Sequence, residues 1–165
     1  METLTERLGA PAATVTTRSE DETRRLAAAL AAVAQPGDRI ALIGPLGAGK
    51  TQFAKGFARG LGVIEVVNSP SFTLMAEYAG RLPLFHQDLY RLAGADEIIG
   101  GGLLDERQYE GVTLSEWGER LPGTLDPDRL TVRIDIAGDT ERLITLEPGP
   151  AGHDRYVDAA RSWRP

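Results

Sequence analysis

The sequence predicts an α/β fold, a three-layer sandwich around a mainly parallel central sheet with antiparallel hairpin additions. Three observations carry this. A short apolar run, residues 39–43, leads through a glycine-rich segment into a helical pattern, and such a continuous apolar run suits a strand buried on both faces. Two pairs of short runs, 73–78 with 82–87 and 130–136 with 142–147, are spaced as hairpins. The chain has 165 residues, 42% hydrophobic and 25% charged, which suits one domain with a single core.

Each element has its own signal. Residues 1–18 show no clean period and read as a loose lead-in. Ser19 with Glu22 has capping-box spacing, and Leu26, Leu30 and Val33 then recur at helical spacing, so a helix is expected over 20–34, stopped by Pro36 and Gly37. Phe53, Phe57 and Leu61 mark a second helix, closed by Gly60 and Gly62. Residues 63–67 are β-branched and read as a strand, broken at Asn68-Ser69-Pro70. The mixed stretch 93–110 suggests short helices around a Gly100-Gly101-Gly102 hinge, followed by a strand at 112–115. The tail, 148–165, is either frayed or carries one short helix, which leaves 19–147 as the single domain.

Composition excludes several classes. There is no cysteine, hence no disulfide framework and no thiolate zinc site. His86 and His153 are the only histidines, too few for an all-imidazole metal site. No apolar stretch approaches the roughly 20 residues of a membrane span, and residues 1–13 lack the pattern of a secretory signal. The cytoplasm is the expected compartment. A formal net charge of -6 argues against a protein whose main task is to grip nucleic-acid phosphates. The basic set is 16 arginines and two lysines, Lys50 and Lys55, so the context of each lysine is informative.

That context is the strongest signal in the chain. Gly44-Pro45-Leu46-Gly47-Ala48-Gly49-Lys50-Thr51 matches G-x-x-x-x-G-K-[ST] at every fixed position, with a strand before it and a helix after it. A polyphosphate needs several donors converging on a small volume. Consecutive backbone N–H groups supply them when glycine lets the chain curl, and the following helix adds its positive end. Lys50 is placed for the β- and γ-phosphates and the Thr51 hydroxyl for Mg²⁺. The fold class is therefore refined to a P-loop NTPase-like sandwich, binding a nucleoside triphosphate with Mg²⁺.

Such a site needs a carboxylate at the end of a neighbouring strand. Asp88, after the run 82–87, and Glu116, after 112–115, both qualify. His86 shares a strand face with Asp88. It is a metal partner or a structural hydrogen-bond partner, and the second is preferred. Trp117 has three readings: packing on a nucleotide, on a partner, or in the core. Asn68 is the only asparagine, so the guanine-reading N-K-x-D motif is absent and ATP is favoured. The segment Ser69-Pro70-Ser71-Phe72-Thr73 reads as a switch able to touch a γ-phosphate through hydroxyls. A small-molecule kinase stays open, with Arg91, Arg107 and Arg120 available, although nothing marks an acceptor pocket. A nucleotide-gated binding module is a third, weaker reading.

From Ser19 to about Leu146 the chain resembles the TsaE (YjeE) family. The P-loop is close to that family's G-D-L-G-A-G-K-T and Ser69–Leu74 to its S-P-T-F-T-L. His86-Gln87-Asp88-Leu89-Tyr90-Arg91 matches H-x-D-x-Y-R, and Glu116-Trp117 matches E-W. Two departures are Pro45, which replaces an acid and removes a backbone donor, and Ser71, which replaces threonine and keeps the hydroxyl. The resemblance implies an ATPase working with the proteins TsaB and TsaD, which load threonylcarbamoyl onto adenosine 37 of tRNAs reading ANN codons; tRNA would be met only through that complex. It implies that Gly44 to Thr51 with Gln52 cradle ATP and that Lys50 is catalytic. Thr51 and Glu116 would hold Mg²⁺, and Asp88 would position water or the switch. Ser69, Ser71, Thr73 and Trp117 would serve the switch or the partner. Glu20 and Arg142 match nucleotide-contacting positions less surely.

Overall fold

The computed structural model describes residues 12–70, 74–90, 105–120, 128–149 and 153–165. Their strands are β1 (Ala13–Thr17), β2 (Arg39–Ile43), β3 (Met75–Tyr78), β4 (Leu84–Asp88), β5 (Val112–Glu116), β6 (Leu130–Ile136) and β7 (Arg142–Glu147). They form one sheet in the order β1-β7-β6-β2-β5-β4-β3. β2 runs parallel to both β5 and β6, and β4 parallel to β5. The pairs β3–β4, β6–β7 and β1–β7 are antiparallel. The centre is thus parallel and each flank carries an antiparallel hairpin, as expected, with β1 added at one edge. Parallel pairing brings the carboxyl ends of β2, β4 and β5 to one edge, where ligand sites of such sheets form.

Helices α1 (Glu20–Ala31), α2 (Lys50–Gly60) and α3 (Asp154–Ser162) cover one sheet face. Alternation along the strands sends Ile40, Leu42, Leu114, Val132, Ile134 and Ile144 to that face. They meet Leu26, Leu30, Phe53, Phe57 and Tyr156 from the helices. α1 and α2 pack closely because α2 brings glycine to the crossing. A Cβ on Gly56 would lie 2.2 Å from the Arg24 carbonyl, and one on Gly60 would lie 2.5 Å from that of Ala28. The other face buries Ala41, Phe85, Gln87, Thr113 and Ser115. Among the described residues it is covered by short 3-10 turns, Glu106–Glu110 and Gly118–Arg120; a Cβ on Gly118 would lie 2.4 Å from that of Ala41.

The start of α1 follows its sequence signal with one change. Ser19 Oγ accepts from Glu22 N at 3.0 Å, but the Glu22 carboxylate accepts from Arg18 N, one residue before the cap. The helix ends at Ala31, short of 34. Val33 N and Ala34 N then bond the carbonyls three residues back, so its end tightens into a 3-10 turn.

Two expectations change, and the open choice for the tail falls to its short helix. Part of the supposed lead-in is β1, which pairs Ala13 with Leu146 and Thr17 with Arg142. Its five residues carry too short a pattern to read alone, and its ladder partner lies at the far end of the chain. Residues 63–67 form no strand: Val63 and Val67 are buried, Ile64 and Val66 exposed, and Val63 N bonds Ala58 O at the end of α2. β-branched residues need a neighbouring edge to become a strand, and this segment pairs with none among the described residues. The tail is not frayed, because α3 is part of the core. Tyr156 is buried and its hydroxyl donates to Asp38 Oδ2 at 2.5 Å. Arg155 donates to the same oxygen and, through Nε, to Val33 O at 2.9 Å. The hinge at 100–102 lies outside the described residues.

Candidate phosphate-binding site

The loop between β2 and α2 is shaped by close approach and by glycine. A Cβ on Gly44 would lie 2.4 Å from Ile134 O, so β6 closes against the loop's first residue. Gly47 (φ 81) and Gly49 (φ 111) take the left-handed backbone that side chains disfavour, and Ala48 N bonds Pro45 O at 3.1 Å between them. Gly49 caps α2 without a side-chain hydrogen bond, and the first turn of α2 holds no acid. α1 differs, with Ser19 at its cap and Glu20, Asp21 and Glu22 in its first turn. The positive end of α2 is therefore uncompensated by its own residues and open to an anion.

Lys50 lies folded against that loop. Its Nζ donates to Gly44 O at 2.5 Å and to Pro45 O at 3.0 Å, and sits 3.9 Å from the centre of the Trp117 ring. Burial lowers its pKa, opposed by the charges of Glu119, Glu116 and Asp88. The buried ammonium meets oxygens and a π-face rather than a carboxylate, an arrangement that an incoming phosphate can better.

Both candidate acids arrive at the same edge, paired in register across β4 and β5. Glu116 Oε1 accepts from Thr51 Oγ1 at 2.9 Å, and Oε2 lies 2.6 Å from His86 Nε2. Asp88 is held differently: Ser69 Oγ donates to Oδ2, and Tyr90 N donates to Oδ1 at 3.0 Å. The preferred reading of His86, a structural hydrogen-bond partner, is what the geometry shows. Trp117 has φ 58, a left-handed backbone unusual for an aromatic residue, at the turn where β5 delivers Glu116. Its ring packs against Tyr90 at 4.9 Å between centroids, and Arg120 covers Tyr90 at 5.5 Å.

These groups line a cleft of about 400 Å³ that includes Glu20, Gly47, Lys50, Thr51, Asp88 and Glu116. A second cleft, about 380 Å³, adjoins it and is lined by residues that include Glu20, Gln52 and Arg142. Arg142 donates through Nε to Ala48 O at 2.9 Å, so its contact with the loop is to backbone carbonyls. Gln52 turns toward α1, where its Oε1 accepts from Arg24 at 2.6 Å. Leu46 is exposed at the loop's crest. Ser71 and Thr73 lie outside the described residues; Leu74 (φ 65), which follows them, bonds Pro70 O and Asp88 N through its own backbone. Arg142, matched less surely to a nucleotide-contacting position, reaches the loop through its carbonyls; the Tyr90–Trp117 stack was missed in the sequence. The one signal for the stack was that both aromatics directly follow strand-end acids or their neighbours.

A strand, a glycine loop with a buried lysine, an uncapped helix and two acids on parallel neighbours define a nucleotide-binding fold of the P-loop class. The comparisons narrow it. Residues 17–144 match the family model described as threonylcarbamoyl adenosine biosynthesis protein TsaE. The tRNA threonylcarbamoyladenosine biosynthesis protein TsaE of Bacillus subtilis is 48% identical over 132 residues, 79% of this chain and 82% of that protein. Its counterpart from Treponema pallidum is 40% identical over 129 residues, 78% of this chain and 96% of the relative. The crystal structure of Bacillus subtilis YdiB superposes with a TM-score of 0.68 at 40% identity, covering 92% of this chain and 93% of that one. The chain belongs to the TsaE family, whose role is in the biosynthesis of threonylcarbamoyladenosine in tRNA. Among the described residues, no helix is long and apolar enough to cross a membrane.

Proposed function

We propose that this protein is a Mg²⁺-dependent ATP hydrolase that works with TsaB and TsaD in loading threonylcarbamoyl onto adenosine 37 of tRNAs reading ANN codons. The observation that carries the reading is the 2.9 Å hydrogen bond between Thr51 Oγ1 and Glu116 Oε1, at the mouth of the uncapped helix. A hydroxyl and a carboxylate are hard oxygen donors, and they meet beside the glycine loop. Mg²⁺ is commonly held by one or two protein oxygens plus substrate phosphates and water. Among the described residues no group of three or more His, Asp or Glu forms a metal cage, so the phosphates would complete the shell.

Bound there, Mg²⁺ would neutralise charge developing on the transferred phosphoryl group. The protein's own residues do the rest. Backbone N–H groups of the loop and of the first turn of α2 hold the phosphate oxygens. Lys50 exchanges the Gly44 and Pro45 carbonyls for phosphate. Asp88, fixed by Ser69 and Tyr90 N, orients either the attacking water or the switch that begins at Ser69. Trp117 and Tyr90 wall the cleft against bulk water. Among the described residues no arginine lines the phosphate cleft, which leaves room for one supplied by a partner.

The test is steady-state phosphate release from ATP, alone and with increasing TsaB–TsaD. Slow release that the partners accelerate and a chelator stops is expected. Fast isolated turnover, or turnover raised by a small-molecule acceptor instead of the partners, would replace this reading with a kinase.

A further inference from the structure

We propose that His86 is a positioning residue for Glu116, fixing which carboxylate oxygen faces the metal. The inference rests on the reading of Thr51 and Glu116 as Mg²⁺ ligands. His86 sits on β4, fully buried, and its Nε2 lies 2.6 Å from Glu116 Oε2. Glu116 is itself buried and bonds Thr51 through the other oxygen. The two oxygens are thereby made unequal: one is committed to the imidazole inside the sheet, the other is presented to the cleft.

The proton follows from this geometry. Against an ionised carboxylate a proton must stand on Nε2, the nitrogen that faces Glu116. Nδ1 is buried and meets no hydrogen-bond partner among the described residues. A histidine kept for fold stability alone would be expected to satisfy both nitrogens, because a buried polar atom without a partner is costly. An apolar side chain of similar shape would suit this core better. What the imidazole contributes is the bond to Glu116. The terminal torsion of a glutamate is soft, so without that bond the carboxylate can turn and its plane is no longer set. Partners that orient metal ligands typically change metal affinity by about 10–100-fold.

The experiment measures metal binding directly. Mn²⁺ is titrated into the protein–ADP complex and free Mn²⁺ is read by electron paramagnetic resonance. ADP affinity is measured in parallel in excess chelator, and thermal unfolding without metal. In His86→Leu the Mn²⁺ dissociation constant should rise by about tenfold or more, with chelator-condition ADP affinity within about twofold of wild type. His86→Gln and His86→Asn retain an N–H donor, and at least one should recover most of the loss. His86→Leu binding Mn²⁺ like wild type overturns the inference. So does equal loss of Mn²⁺ and metal-free ADP binding, or folded Gln and Asn variants both as weak as Leu. Glu116→Gln separates this from the parent reading. If it too leaves Mn²⁺ binding unchanged, the metal site itself is wrong; if it abolishes binding while His86→Leu does not, only the role of His86 falls.

Discussion

Arg142 and Ala48, 94 residues apart, are joined by a 2.9 Å hydrogen bond from a guanidinium to a loop carbonyl. The same side chain donates to Gly138 O at 2.9 Å and Glu141 O at 2.8 Å, so it ties the β6–β7 turn to the glycine loop. The loop's N–H groups can face an anion only while its carbonyls are turned away, and Arg142 binds them from that far side. Arg142→Ala should weaken nucleotide binding by about tenfold, the scale of one charge-assisted hydrogen bond. Arg142→Lys should recover little, because an ammonium cannot reproduce the planar fork. Titration of a fluorescent ADP analogue checks both; unchanged affinity in Arg142→Ala would show that the loop holds its shape unaided.

Lys50→Met should reduce nucleotide affinity by roughly 1.5–3 kcal/mol and turnover by more, since the ammonium also meets charge in the transition state. The fold should persist, with a modest stability change, because Lys50 also bonds two loop carbonyls. A folded variant with wild-type affinity and turnover would remove the P-loop assignment.

Lys50 also sets a pH dependence. Burial, opposed by Glu119, Glu116 and Asp88, places its folded pKa below the ordinary 10.5. Phosphate prefers the ammonium, so nucleotide affinity should fall as pH rises through that lowered pKa, before the usual lysine range. For stability the sign is opposite: the unfolded chain binds the extra proton in this window, so stability from this group rises with pH up to about 10.5. Affinity measured from neutral to alkaline pH, with Lys50→Arg as a flat control, tests the binding half. A wild-type profile as flat as the control would contradict it.

Glu116→Gln and Asp88→Asn should separate. Loss of Glu116 should remove Mg²⁺ dependence and turnover together. Loss of Asp88 should lower turnover with nucleotide affinity nearly kept, and Ser69→Ala should resemble it because Ser69 donates to Asp88. The readouts are kcat, KM and Mg²⁺ titration. Reversed patterns would exchange the two roles.

Tyr156→Phe should destabilise the fold by about 1–3 kcal/mol, because Asp38 is buried and loses one donor. Burial, then Asp38, raises the Tyr156 pKa, so the folded hydroxyl stays protonated while the unfolded one ionises above its ordinary 10.0. The stability contribution is full below that value and shrinks as pH rises beyond it. Urea unfolding of both proteins at neutral and alkaline pH should show the gap narrowing; a gap absent at neutral pH would leave α3 held by packing and by the Arg155 bonds to Asp38 and Val33.

Local pattern determined a great deal. Ser19 declares the start of α1, and the β6–β7 hairpin is readable from 130–136 and 142–147. The loop 44–51 identifies its ligand class because glycine, lysine and threonine at that spacing answer a chemical need within eight residues. Asp88 and Glu116 were legible as strand-end acids for the same reason. Only tertiary structure decided the remainder. β1 exists because β7 offers it an edge, and residues 63–67, with better β propensity, find no such edge. Tyr156 makes the tail part of the core by reaching Asp38. Asp88 and Glu116 look equivalent in the sequence, yet one meets Ser69 and Tyr90 N while the other meets Thr51 and His86. These are contacts between residues distant in the chain, and no local period or propensity encodes which partner a folded backbone will bring within 3 Å.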